Sequence, residues 1–134
     1  MAPTLAEPVR RFLEKPNFAV LATQSAAGRI QATPVWFIQR GDEIVVNTSA
    51  GRKKLLNVEA NPQVALTIVD RENPYQYVQV QGRVVKFDRE NGGKDIDSLS
   101  HRYTGKPYGY PGNDGPEKRV SIHIRPERVD TMGF

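Results

Sequence analysis

Arg52 and Lys54 stand two positions apart, just after the small and hydroxylated run Asn47-Thr48-Ser49-Ala50-Gly51 and before Leu55, Leu56 and Asn57. The run reads as a handover from a strand, Glu43 to Asn47, to a short helix. A helix start presents unpaired N–H groups and the positive end of the peptide dipole, so it favours anions. Arg52 and Lys54 add charge-assisted donors from different directions, which is the chemistry of phosphate capture. Taken alone, the same run also reads as a solvated basic helix start, because short basic motifs have little specificity.

Other reactive side chains are few. The chain has no cysteine, which excludes a disulfide framework, a thiolate nucleophile and a cysteine-ligated metal. Its two histidines, His101 and His123, give no histidine-rich metal site, and no metal is expected. His101 reads as a helix-surface residue. His123 lies on an alternating strand, where a wall or interface role outweighs that of a proton donor. Tyr103, Tyr108 and Tyr110 border a segment from Gly105 to Gly115 with four glycines and two prolines. Such a segment is a surface loop suited to covering a site. Its tyrosines fit either stacking on a flat ring or a subunit contact. No serine–histidine–acid set or carboxylate pair is evident, and no residue is assigned as catalytic.

With 19 Lys and Arg against 15 Asp and Glu, the net charge is +4. The excess is spread over Arg10-Arg11, Arg52-Lys53-Lys54, Lys118-Arg119 and Arg125/Arg128. That pattern suits a small anionic ligand better than nucleic acid, for which no zinc-finger, zipper or RRM signature is present. No apolar run approaches the roughly 20 residues that span a bilayer. Met1 to Pro16 carries charges where a signal peptide has its apolar core. A cytoplasmic protein with no membrane partner is expected.

The elements that must position these residues are mostly strands. The 134 residues are expected to form one domain. Thr4-Leu5-Ala6-Glu7 has capping-box form ahead of a helix with Leu5, Val9, Phe12 and Leu13 on one face. Phe18 to Thr23, Arg29 to Gln39 and Glu43 to Asn47 read as an antiparallel meander, turning at Gly28 and Gly41. The helix from Arg52 ends at Asn61-Pro62, since proline cannot continue it. Val64 to Val69 and Tyr75 to Phe87 follow as strands, the second with a bulge at Gly82. Asp95 to Tyr103 is a helix with Ile96, Leu99 and Tyr103 on one face, and Val120 to Arg125 is the last strand. Six short strands interrupted by helices predict a mainly β (α+β) domain, a small closed or split barrel.

These segments, in this order, resemble the split β-barrel flavin and deazaflavin oxidoreductases, the superfamily of pyridoxamine 5′-phosphate oxidase. The resemblance is carried by Phe18-Ala19-Val20-Leu21-Ala22-Thr23, Gly28-Arg29, Thr33-Pro34-Val35-Trp36, Val46-Asn47-Thr48, Gly51-Arg52-Lys53-Lys54 and Asn57. It continues through Asn61-Pro62-Gln63-Val64-Ala65, Asn73-Pro74-Tyr75, Val80-Gln81-Gly82-Arg83-Val84 and Arg125-Pro126-Glu127-Arg128-Val129. Within the superfamily the chain is most similar to the branch that uses the deazaflavin coenzyme F420. The resemblance implies a six-stranded antiparallel split β-barrel in which Arg52, Lys54 and Asn57 grip the cofactor phosphate. It further implies that Thr33, Pro34, Val35 and Trp36 lie along the flavin-like ring. Asn47, Thr48 and Ser49 then approach the ribityl chain and phosphate. One departure is Ala50, where many deazaflavin-using relatives carry arginine.

The expected function is hydride transfer from reduced coenzyme F420 to an unsaturated or quinone-like organic substrate, in a homodimer. An FMN-dependent oxidoreductase or oxidase is the rival enzyme. A non-catalytic cofactor- or tetrapyrrole-binding barrel is the rival of another class.

Overall fold

The structure is a computed structural model that describes residues 5–134. Three helices, α1 (Glu7–Glu14), α2 (Lys53–Ala60) and α3 (Gly92–Thr104), accompany seven strands. The strands are β1 (Phe18–Gln24), β2 (Ile30–Val35), β3 (Ile38–Arg40), β4 (Glu43–Ser49), β5 (Gln63–Val69), β6 (Tyr77–Asp88) and β7 (Arg119–Met132). They form one antiparallel sheet in the order β2-β1-β5-β6-β7-β4-β3.

Two expectations need correction. The stretch Arg29 to Gln39 is not one strand, so the described residues have seven strands rather than six. Nor is the sheet closed, because β2 and β3, consecutive in the chain, lie at its opposite edges. The physical cause is competition between two hairpins. The turn at Gly28 (φ 87°) pairs β2 with β1, and the turn at Gly41 (φ 60°) pairs β3 with β4. Each hairpin claims its own half, and the chain breaks between them at Trp36 and Phe37. Only three peptide steps separate Val35 from Ile38, at most about 11 Å of extended chain. The sheet must therefore curl until its two edges face one another across a seam, without pairing.

Phe37 at the seam is fully buried, in a core with Leu13, Leu21, Ile44, Leu66, Ile68, Ile122 and Ile124. Helix α1 buries Val9, Phe12 and Leu13, the expected face. Its N-cap position is Ala6, with no side-chain cap; the proposed capping residue Thr4 lies outside the described residues. Pro34 is tolerated because β2 is an edge strand. The bulge at Gly82 is present, as a register shift between Gln81 and Gly82. A Cβ there would sit 2.6 Å from the Arg125 carbonyl oxygen. The last strand runs well past its expected end, and its second half pairs with β6 from Tyr77 to Gln81.

Helix α3 covers the outside of β7 and β4, burying Ile96 and Leu99. Its first residue, Gly92, comes so close that an added Cβ would lie 2.0 Å from the Arg119 carbonyl oxygen. Arg102 then clasps the end of α1 to the seam. Its guanidinium donates to the carbonyls of Leu13 (2.9 Å), Glu14 (2.8 Å), Lys15 (2.7 Å) and Phe37 (3.0 Å). Those carbonyls lack helical partners, and a cation at a helix C-terminus also meets the dipole favourably. No helix among the described residues is long and apolar enough to cross a membrane.

Candidate active site

The turn from β4 to α2 places the cations. After Ser49 the chain reverses through Ala50 and Gly51, the latter at φ 88°. The Ala50 N–H donates to the Lys118 carbonyl (2.7 Å) and the Arg52 N–H to the Ser49 carbonyl (3.1 Å). Arg52 becomes the N-cap residue of α2. Leu55 and Val58 bury one face of the helix, which leaves Lys53 exposed and turns Lys54 inward, half-buried.

Lys54 borders a cleft of about 410 Å³ at the seam of the sheet. Phe18, Pro34, Val35 and Trp36 line one side, and Asn47, Thr48, Arg52, Lys54 and Arg119 another. Ile96, Leu99 and Tyr108 complete the wall. Trp36 is stacked on Tyr103, with ring centroids 5.4 Å apart and planes 9° apart. The Tyr103 hydroxyl donates to the Asn17 carbonyl at 2.7 Å, fixing the platform. The arrangement is a cleft whose walls combine aromatic and apolar side chains with three cations. Burial, then the guanidinium charges of Arg52 and Arg119, push the Lys54 ammonium below its ordinary value of 10.5. A bound anion would offset the two guanidinium charges and favour the charged ammonium, so an anionic ligand fits the residues present.

Seven of the ten residues expected at the site line this cleft: Pro34, Val35, Trp36, Asn47, Thr48, Arg52 and Lys54. Three do not. Thr33 is half-buried in the ladder, opposite Leu21. Asn57 is buried and donates to the Thr23 hydroxyl at 3.0 Å, tying α2 to β1. Ser49 lies in an adjoining depression of about 310 Å³, with Arg52, Tyr108, Asp114 and Lys118. The Asn47 amide is already engaged, donating to the Gly92 carbonyl (2.9 Å) and the Ser121 hydroxyl (3.1 Å) and accepting from Arg119 (2.8 Å).

Arg119, Phe18, Ile96 and Leu99 were not anticipated at the site. Arg119 was visible only as half of the basic pair Lys118-Arg119, yet its side chain is 8% exposed. It forms an ion pair with Asp114 at 2.8 Å and lies 5.2 Å from the centroid of the Tyr108 ring. Of the three loop-bordering tyrosines, Tyr108 lines the cleft, Tyr110 packs edge-on against it at 4.8 Å, and Tyr103 backs Trp36. The histidines lie elsewhere. His101 pairs with Asp97 on the exposed face of α3 (3.6 Å), and His123 Nδ1 meets Glu43 at 3.1 Å.

A curled, open antiparallel sheet with a cation-lined cleft is a split-barrel architecture. The chain belongs to the pyridoxamine 5′-phosphate oxidase family, whose profile matches residues 5–133. It is similar to the structure of an F420 reductase, at 32% identity and a TM-score of 0.83 over 94% of this chain and 98% of that one. The fold is shared with HutZ, a heme storage protein from Vibrio cholerae (20% identity, TM-score 0.68, 98% and 97% covered). It is also shared with General Stress Protein 26 from Bacillus anthracis (19%, 0.70, 94% and 92%). No curated protein matches the chain in sequence.

Proposed function

We propose that the chain is an oxidoreductase using reduced coenzyme F420 to reduce an unsaturated or quinone-like organic substrate, as a cytoplasmic homodimer. One observation carries the reading: a single cleft lined by Pro34, Val35, Trp36 and Tyr108 together with Arg52, Lys54 and Arg119. The cofactor supplies the hydride. Arg52 and Lys54 hold its phosphate, and Pro34, Val35 and Trp36 flank the ring. Thr48 borders the ribityl chain, and the Tyr108 side keeps water out. The protein positions and polarises, which needs no dedicated acid or base. Similarity to an F420 reductase at 32% identity supports the choice of deazaflavin. A histidine-ligated tetrapyrrole finds no support in the cleft, whose lining contains neither histidine.

Titration of the apo-protein with coenzyme F420 and with FMN, followed through Trp36, the single tryptophan, is the direct test. Tighter binding of F420, and oxidation of reduced F420 accelerated by a quinone or enone, is the expected result. Preferential FMN binding would establish the rival enzyme, and binding without turnover on a broad acceptor panel would favour a carrier. Val85 and Phe87, exposed two positions apart on β6, are the apolar surface offered for self-association. Light scattering should give twice the 15.0 kDa chain mass; a monomer that binds cofactor would refute the dimer.

A further inference from the structure

Asp114 sits at the end of the glycine-rich loop and is fixed at four points. Its Oδ1 accepts from the Ser49 hydroxyl (3.1 Å) and from the Gly115 N–H (2.9 Å). Its Oδ2 accepts from Arg119 Nη1 (2.8 Å) and from the Tyr108 hydroxyl (3.2 Å). The carboxylate is 11% exposed. A guanidinium, a backbone N–H and two hydroxyls form the donor set that a bound anion receives. Two of those donors, Arg119 and Tyr108, line the cleft, and Tyr108 and Arg52 also line the depression in which Asp114 lies. The loop is anchored by further bonds, from the Tyr108 N–H to Asp97 (3.0 Å) and from the Ser100 hydroxyl to the Lys106 carbonyl (2.8 Å).

We propose that Asp114 is a built-in counter-charge that makes the cleft select a singly charged phosphodiester over a doubly charged phosphomonoester. The inference rests on the cofactor reading above and adds to it the residue that discriminates by charge. Arg119 is neutralised by Asp114, which leaves Arg52 and Lys54 for the ligand. A phosphomonoester carries close to two negative charges at neutral pH, its second pKa being about 6. A phosphate held at Arg52 and beside Tyr108 has the Asp114 carboxylate in the adjoining depression, and like charges repel. A phosphodiester carries one charge and is repelled about half as strongly. Rejection by a placed like charge is a standard route to specificity.

The test compares wild type with Asp114→Asn, which keeps the shape and removes the charge. The probes are FMN (a phosphomonoester), coenzyme F420 (a phosphodiester) and riboflavin (no phosphate), each titrated through Trp36 fluorescence. Asp114→Asn should bind FMN about tenfold tighter and F420 tighter by no more than about threefold, because the repulsion scales with the charge on the phosphate and half the free energy is the square root of the factor. Riboflavin affinity should not change. FMN affinity that stays level or falls, or FMN and F420 shifting by the same factor, overturns the inference and reduces Asp114 to a loop anchor. Wild-type protein that binds neither phosphorylated probe overturns the cofactor reading itself, and this inference with it. Should Asp114→Asn lose its cooperative melt, Asp114→Ser carries the same comparison.

Discussion

The Arg119 guanidinium donates to the Asn47 carboxamide at 2.8 Å, across 72 residues of chain. The contact is one link of a polar path through the β4–β7 face. Arg40 pairs with the buried Asp95 (2.8 Å), and Asp95 accepts from Ser121 (2.5 Å). Ser121 accepts from Asn47, Asn47 from Arg119, and Arg119 pairs with Asp114. The path runs from an edge strand, under α3, to the loop beside the cleft. It gives the third cation of the site a fixed position.

Breaking that path should be costly. Arg119→Met leaves the half-buried Asp114 with only its Ser49, Tyr108 and Gly115 donors, and loss of a hydrogen bond between charged groups costs about 1.5–3 kcal/mol. Urea unfolding would measure it. The double variant Arg119→Met/Asp114→Asn should recover much of the loss, since no uncompensated charge remains. Equal destabilisation in the single and double variants would mean that packing, not charge, is what Arg119 supplies.

Lys54 and Lys53 offer a matched pair. Lys54→Ala should weaken cofactor binding by about 1.5–3 kcal/mol, the range for hydrogen bonds to charged groups. Lys53→Ala, on the exposed side of α2, should be nearly silent. Because the folded state lowers the Lys54 pKa, the unfolded chain holds that proton more tightly. Stability of the apo-protein therefore rises with pH in the alkaline range just below 10.5. Lys54→Met should abolish that rise and melt slightly higher at neutral pH. Equal loss of affinity in both alanine variants would reduce the run to a diffuse basic patch.

Two carboxyls should dominate the acid limb. At Asp88 the Asn91 side chain (2.9 Å) and then the Asn91 N–H (3.0 Å) hold the carboxyl below its ordinary 3.8, against burial. At Asp114 burial opposes ionisation, but the Gly115 N–H, Arg119 and Ser49 outweigh it, and the net shift is again downward. Both ionised forms thus favour folding above pH 3.8, and that contribution drains away as pH falls through the folded values. Asn91→Ala should flatten the stability profile below pH 4, read from thermal melts as a function of pH. An unchanged profile would remove Asp88 from the account.

Gly92→Ala tests how α3 is seated. The obstructing atom is a backbone oxygen, 2.0 Å from the added Cβ, so a side-chain rotation cannot relieve it. Either α3 lifts or the β7 start shifts, at about 1–3 kcal/mol, as for overpacking in a core. Because the obstructing oxygen belongs to Arg119, cofactor affinity should fall along with melting temperature. A loss of stability with unchanged affinity would separate the helix seat from the site.

The sequence by itself determined whatever depends on neighbours in the chain. The apolar strand runs from Phe18 to Thr23 and from Val64 to Val69, the stop at Pro62, the bulge at Gly82 and the handover into Arg52 and Lys54 are all local, so they were legible. Trp36 and Phe37 were not legible as a break, because they sit in the uninterrupted apolar run Val35-Trp36-Phe37-Ile38 and the two hairpins that pull it apart are set by Gly28 and Gly41 on either side. The amides of Asn47 and Asn57 and the hydroxyl of Ser49 read as free donors in sequence. In the fold Asn47 donates to Gly92 and Ser121, Asn57 to Thr23 and Ser49 to Asp114. Arg119 reads as a solvated half of a basic pair until β7 lies beside β4 and α3 seals it over. Tertiary structure alone decided these roles, because burial and hydrogen-bond partnership depend on strand register between residues dozens of positions apart, which no local pattern encodes.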